Sequence, residues 1–259
     1  MNFEYSIVLP AYNERQRIEK ALQSILACIQ ACGWIAEVIV VDDGSTDDTA
    51  AIVSRFAEEN GNVSLIRNPM NRGKGYSVRN GVLHAQGRTV LFTDTDMSTP
   101  IEEAKRLFAA IESGADVAIG SRWLQRDLQT NQQPLYRRFF GRCFNLVTRL
   151  FVRLPFVDTQ CGFKAFTNQA ARRLFLLQTI ERWGFDPEIL FNAVHCGMRV
   201  VEVPVSWGHD DRSKVSYFKD GSRMLLDLAR IRINSLLGRY RGNAITSERR
   251  EPADHTLRP

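Results

Sequence analysis

The sequence predicts an α/β fold, a mostly parallel sheet with helices on both faces. Three observations point there. Apolar runs rich in β-branched residues recur through the first half of the chain, each separated from the next by a segment of helical periodicity. The centres of most runs are continuously apolar rather than alternating, as in strands buried on both faces. The polar motifs bearing aspartate and glycine follow the runs, at the carboxyl edge where such sheets bind ligands.

The elements read in order as follows. YSIVLP (5–10) is a strand, and 14–32 is an amphipathic helix with Ile18, Leu22, Ile25, Leu26 and Ile29 on one stripe. AEVIVVDD (36–43) is a strand, followed by a helix over 47–59 with Ser45 or Thr46 as its cap. NVSLIRN (62–68) and RTVLFTD (88–94) are strands around a helix at 75–86. A helix over 100–113 leads to the strand ADVAIGSR (115–122), with Thr99 as N-cap, Pro100 at the first helical position and Glu102 completing a capping box.

After about residue 123 the alternation stops. LQRDLQTNQQP reads as a polar loop, and 135–156 is apolar but punctuated by Arg137, Arg138, Arg142, Arg149 and Arg153. DTQCGFKAF (158–166) precedes a helical stretch to about 178, and MRVVEVPVSW (198–207) is a strand whose Pro204 suits a sheet edge. A polar loop (208–221), a basic amphipathic helix (222–241) and a polar tail (242–259) expected to be disordered close the chain. One domain is expected, with a first half at 1–130 and a second at 131–221.

The 259 residues carry a net charge of +5, with acidic motifs early and arginines late. That placement suits a phosphorylated substrate or an anionic lipid surface, and no nucleic-acid-binding motif is present. Five cysteines without a CxxC pair point to reduced thiols, with Cys28 and Cys32 as helix packing. No window is apolar enough for a transmembrane helix, and no signal peptide is expected. His195 is expected in packing and His84 at solvent or on a hydrogen-bond partner.

Within TDTDMSTP (93–100), two carboxylates one residue apart at a strand end share a side and repel unless screened. Asp94 and Asp96 are therefore either metal ligands or turn punctuation. In VDDGSTD (41–47), Asp42 and Asp43 can accept hydrogen bonds from a nucleoside. NRGKGYS (71–77) fails both the P-loop and the dinucleotide patterns, leaving a cationic loop before a helix. RSKVS (212–216) either presents Arg212 and Lys214 to a phosphate or is a solvated loop. Segments 135–156 and 222–241 are either core helices with solvated arginines or interfacial elements that meet lipid.

LPAYNE (9–14), VDDGSTD (41–47), NRGKGYSVRNG (71–81), TDTDMSTP (93–100), GSRW (120–123), DTQCGFKAF (158–166) and RSKVS (212–216) occur together and in this order. As a set they resemble the family 2 glycosyltransferases of the GT-A fold, within the subgroup that acts on polyprenyl phosphates, over about residues 3–220. The resemblance implies a nucleotide-sugar pocket from Pro10, Ala11, Tyr12, Glu14, Asp42, Asp43, Lys74 and Thr95. It implies Mg²⁺ or Mn²⁺ on Asp94 and Asp96. It assigns donor and acceptor phosphates to Arg122, Arg137 or Arg138, Arg212, Lys214 and Ser216. STP after the aspartates favours glucose from UDP-glucose over mannose from GDP-mannose. The expected activity is an inverting hexosyl transfer to a dolichyl-type phosphate at the cytoplasmic face of a membrane, with peripheral attachment; a soluble acceptor and a non-catalytic nucleotide-sugar-binding protein are the alternatives.

Overall fold

The computed structural model describes residues 2–125, 145–208 and 217–240. Arg137, Arg138, Arg212, Lys214, Ser216 and the tail at 242–259 lie outside the described residues.

The strands are β1 (Tyr5–Ala11), β2 (Ala36–Asp42), β3 (Val63–Arg67), β4 (Thr89–Thr93), β5 (Val117–Ser121), β6 (Phe163–Thr167) and β7 (Val200–Pro204). The helices are α1 (Ile18–Cys32), α2 (Thr49–Glu59), α3 (Lys74–His84), α4 (Ala104–Glu112), α5 (described over 145–152), α6 (Asn168–Leu177), α7 (Phe185–His195) and α8 (Tyr217–Leu236). The strands form one sheet in the order β3-β2-β1-β4-β6-β5-β7. All pairings are parallel except those of β6, which runs antiparallel between β4 and β5. β7 ends the order, so Pro204 sits on an edge strand as its missing N–H requires.

Strand alternation sends Ile7, Leu9, Val38 and Val40 to one core, beneath α1, α2 and α4. Val8, Ile39 and Val41 face the opposite core, where α3, α6, α7 and α8 pack. Gly81 of α3 makes that packing close, since a Cβ there would stand 2.4 Å from Val8 Cγ1. α1 ends as its sequence indicates: Gly33 is left-handed at φ 64°, its N–H reaching Gln30 O and the Trp34 N–H reaching Ile29 O.

Three local expectations are corrected. α1 starts at Ile18 rather than 14, because Asn13 is left-handed (φ 51°) and Glu14 turns to bind Arg17. Ser45 and Thr46 do not cap α2. They bond to Asn13 across the sheet edge, and Asp47 accepts from the Thr49 N–H instead. The chain after Pro100 enters a 3₁₀ turn (Ile101–Glu103) before α4, and neither start carries a side-chain capping bond, so the capping box from Thr99 to Glu102 does not form.

The position of β6 governs everything that follows. In the parallel strands, Ala11, Asp42, Thr93 and Ser121 end at one edge. Because β6 runs the other way, its first residue Phe163 pairs with Thr93, so the loop before it arrives at that same edge.

Candidate active site

The loops after β1 and β2 are stitched together. The Asn13 N–H donates to Ser45 Oγ at 2.8 Å, the Thr46 N–H to Asn13 Oδ1 at 2.8 Å, and the Glu14 N–H to Thr49 Oγ1 at 2.7 Å. The Glu14 carboxylate takes both Arg17 nitrogens, at 2.6 and 2.7 Å. Tyr12 is exposed at the rim, while Pro10 and Ala11 line the edge below it.

The two aspartates that follow β2 have different work. Asp42 is fully buried, with one oxygen accepting the Ser45 N–H at 3.1 Å and the other facing Arg67 Nε at 3.4 Å. Asp43 accepts from Asn68 Nδ2, the Arg72 N–H and the Gly73 N–H at 2.8, 3.0 and 2.7 Å, so it shapes the NRGKG loop ahead of α3. Gly73 at φ 110° carries the chain into that helix, a turn that a side chain would resist.

That turn delivers Lys74 to the end of β4. Its Nζ stands 2.5 Å from Asp94 Oδ1, above the rings of Trp183 and Phe185. Burial would lower the Lys74 ammonium, but the fields of Asp94 and Asp186 outweigh it and hold the group above its ordinary range. Asp96 is raised, first by burial and then by the neighbouring charge of Asp94, against the opposing bond from the Ser98 N–H at 2.9 Å. Thr95 points away from these carboxylates to donate to Pro10 O at 2.8 Å, tying the TDTD loop to the LPAYNE loop. The pair of carboxylates is therefore a local excess of negative charge only partly met by Lys74.

Arg122 follows β5 and is gripped by Asp158. Nε reaches Oδ2 at 2.7 Å, the second guanidinium nitrogen reaches Oδ1 at 2.9 Å, and the Arg122 N–H reaches Oδ2 at 3.1 Å. Burial alone would raise Asp158, yet the guanidinium beside it holds the carboxyl below the ordinary range. Arg122 follows β5 at the same edge where Asp94 follows β4. Trp207 lies 5.7 Å from its guanidinium carbon.

The structure thus gathers Pro10, Ala11, Tyr12, Asp42, Asp43, Lys74, Asp94, Thr95, Asp96 and Arg122 at one sheet edge. Sequence reasoning passed over four residues there. Asp158, Gly162 and Lys164 belong to DTQCGFKAF, a motif to which the resemblance assigns no residue roles. Lys164 and Asp186 form a buried ion pair beneath the edge, with Lys164 Nζ also donating to Cys161 O at 2.5 Å. A charged residue inside the apolar run FKAF was the available signal for Lys164. Of the histidines, His84 is exposed with Nδ1 2.7 Å from Asn80 O, and His195 is exposed rather than buried, its ring lying against Phe191. Cys28 and Cys32 are free thiols with sulfurs 3.7 Å apart, and burial pushes Cys28 up to about 12.

The mostly parallel sheet, with carboxylates, a lysine and an arginine at one edge, has the GT-A fold. The model of glycosyl transferase family 2 matches residues 6–175, and the chain belongs to that family, an enzyme of the hexosyltransferase kind. Among curated proteins it is similar to dolichyl-phosphate beta-glucosyltransferase of Drosophila melanogaster, 35% identical over 93% of this chain and 78% of that one. The protein of that name from Saccharomyces cerevisiae is 34% identical over 92% and 77%. The fold matches glucosyl-3-phosphoglycerate synthase from Mycobacterium tuberculosis in complex with phosphoglyceric acid, with a TM-score of 0.66 and 18% identity over 88% of this chain and 80% of that one. It also matches a mannosyltransferase from Pyrobaculum calidifontis in complex with GDP-Man and Mn²⁺, with a TM-score of 0.63 and 19% identity over 90% and 65%.

Proposed function

We propose that the protein transfers glucose from UDP-glucose to a dolichyl-type polyprenyl phosphate with inversion at the anomeric carbon. The observation that carries this reading is that Asp94 and Asp96, which follow β4, and Arg122, which follows β5, share one sheet edge, in a chain 31–38% identical to eight dolichyl-phosphate beta-glucosyltransferases. Two anionic substrates must meet, and the edge offers a separate means of handling each.

The donor side fits a divalent cation. Asp94 and Asp96 would supply the oxygen donors that Mg²⁺ or Mn²⁺ takes, and Asp96, raised first by burial and then by the charge of Asp94, would be relieved by a cation. Among the described residues no group of three or more His, Cys, Asp or Glu converges, so two protein carboxylates leave room for diphosphate oxygens. When bound, such an ion would offset charge developing on the departing diphosphate. Asp42, Tyr12 and the β1 loop would receive the nucleoside, with Asp43 holding the neighbouring loop in shape.

On the acceptor side, Arg122 would hold the lipid phosphate by charge-assisted hydrogen bonds, with Arg137 or Arg138, Arg212, Lys214 and Ser216 as further phosphate contacts. A phosphate oxygen is already ionised at neutral pH and needs no general base. It would attack the anomeric carbon as the bond to UDP breaks, turning an α-linked donor into a β-linked product. Holding the reactants in line supplies much of the rate.

Peripheral attachment at the cytoplasmic face of a membrane would bring the lipid acceptor within reach. No helix among the described residues is long and apolar enough to cross a membrane. α8 buries Met224, Leu228 and Ile231, while Leu225, Leu226, Ile233 and Leu236 are exposed on the other side, as is Leu237 just beyond its end. At helical spacing, Arg223 and Arg230 flank that stripe on one border and Arg232 on the other. α5 exposes Leu146, Val147, Leu150 and Phe151, and its last turn packs into the same core as α8. Apolar faces bordered by arginines suit an anionic bilayer surface.

The deciding experiment offers UDP-glucose, GDP-mannose and other nucleotide sugars with radiolabelled dolichyl phosphate or a soluble phosphate acceptor. Transfer from UDP-glucose to the lipid is expected. Preference for GDP-mannose, or transfer only to the soluble acceptor, would overturn the reading.

A further inference from the structure

Residues 157–162 form a strap that touches both halves of the edge. The Val157 and Asp158 N–H groups donate to the two carboxylate oxygens of Glu202 on β7, at 2.8 and 2.7 Å. Asn145 of α5 holds it from elsewhere, donating to Val157 O at 2.5 Å and accepting from Thr159 Oγ1 at 2.8 Å. So anchored, Asp158 grips Arg122 through three bonds. At the far end, Gly162 lies against the donor carboxylate. A Cβ on it would stand 2.1 Å from Asp94 Oδ2 and 2.9 Å from Lys74 Nζ.

We propose that this strap is a positioning device with two ends: Glu202 sets Arg122 through Asp158, and the bare Cα of Gly162 sets Asp94. One short segment would then fix the separation between the carboxylate serving the donor diphosphate and the guanidinium serving the acceptor phosphate. The inference rests on the functional reading above for what each end handles. Glu202 is a positioning residue, since the contacts that tie it to the strap are to backbone N–H groups. The strap arrives at this edge because β6 is antiparallel and begins beside Thr93.

The ends are separable by kinetics. Glu202→Gln sets an amide donor against one of two backbone donors, so the strap loosens at Asp158. The acceptor KM should rise about tenfold, the size of one lost charge-assisted bond, while donor KM and Mn²⁺ affinity stay at wild-type values. Glu202→Gln added to Asp158→Asn should raise the acceptor KM no further than Asp158→Asn alone, because one acts through the other. Gly162 is outside the left-handed region, so its backbone accepts alanine and Gly162→Ala probes the contact alone. That variant should weaken Mn²⁺ binding about tenfold, read by electron paramagnetic resonance of the free ion, since the carboxylate must shift by over an ångström. Its acceptor KM should not change. Should Glu202→Gln fail to fold, Asn145→Ser loosens the strap from the α5 side with the same expected acceptor effect.

Identical effects of the two variants on both parameters, additive losses in the double variant, or unchanged Mn²⁺ binding by Gly162→Ala would each overturn the strap. Wild-type transfer to dolichyl phosphate is the control for the functional reading. If that control fails, the reading falls, and the Mn²⁺ titration then decides the strap.

Discussion

Lys74 and Asp94 form an ion pair of 2.5 Å that joins the first residue of α3 to the end of β4. The ammonium thus sits on a carboxylate that a divalent cation would also use. The two cations compete for one charge. Lys74→Met should therefore tighten Mn²⁺ binding by the nucleotide-free protein, by about tenfold for a charge pair of this kind. Titration followed by electron paramagnetic resonance measures this, and weaker binding would contradict the competition.

Asp96 tests the metal assignment from the other side. Asp96→Asn should lower transfer by about a hundredfold or more while the protein stays folded. Its carboxyl is raised in the folded state by burial and by Asp94. The native state therefore binds the proton more tightly than the unfolded chain, and stability falls as pH rises through that window. Without added metal, Asp96→Asn should melt slightly above wild type at neutral pH, with the advantage vanishing in acid. Thermal melts across pH decide it, and a variant that melts lower at neutral pH would contradict a raised Asp96 carboxyl.

Arg122 and Asp158 should show the opposite pH behaviour. Asp158 is held below the ordinary carboxylate range by the guanidinium, so its contribution is present above that range and is lost as pH falls through the folded value. Asp158→Asn should remove this acid-sensitive component. Breaking the buried pair should also cost about 3–5 kcal/mol in urea unfolding. Arg122→Lys should keep the charge but lose the bidentate grip, raising acceptor KM more than donor KM. Equal effects on both would deny Arg122 its acceptor role.

The buried pair of Lys164 and Asp186 supports the edge from beneath. Lys164→Met alone should cost about 3–5 kcal/mol, because it leaves a buried carboxylate without its partner. Lys164→Met with Asp186→Leu should recover much of that loss, and a double-mutant cycle measures the difference. The double variant should still lose donor affinity, since Asp186 also acts on Lys74.

The exposed stripe of α8 makes a prediction about lipid. Leu226→Asp with Leu236→Asp should reduce co-sedimentation with anionic vesicles by about tenfold, since each leucine withdrawn from lipid costs on the order of 1 kcal/mol or more. Melting should be unchanged, because both side chains are exposed. Unaltered vesicle binding would remove α8 from the membrane contact.

Much of the fold was legible in residue order. The β-branched runs of β1, β2 and β4 can be buried on two faces only in a sheet covered by helices, and the helical stripe from Ile18 to Ile29 names its own buried side. The site was legible as a collection of motifs at strand ends, because parallel strands deliver their following loops to one edge. Capping was read less well. Ser45 and Thr46 are competent caps, but Asn13, remote in sequence, offers them partners that local spacing cannot reveal.

What the sequence determined by itself is therefore local and periodic: which stretches are strands or helices, which faces are apolar, and which loops carry charge. The tertiary structure alone decided that β6 runs antiparallel between β4 and β5. That single reversal brings Asp158 to Arg122 and Gly162 to Asp94, contacts that depend on strand order. It also decided that Lys74 pairs with Asp94 and that Glu202 holds the strap. Hydrogen bonds and ion pairs between distant segments depend on distances of a few ångströms set by packing, and no spacing along the chain encodes them.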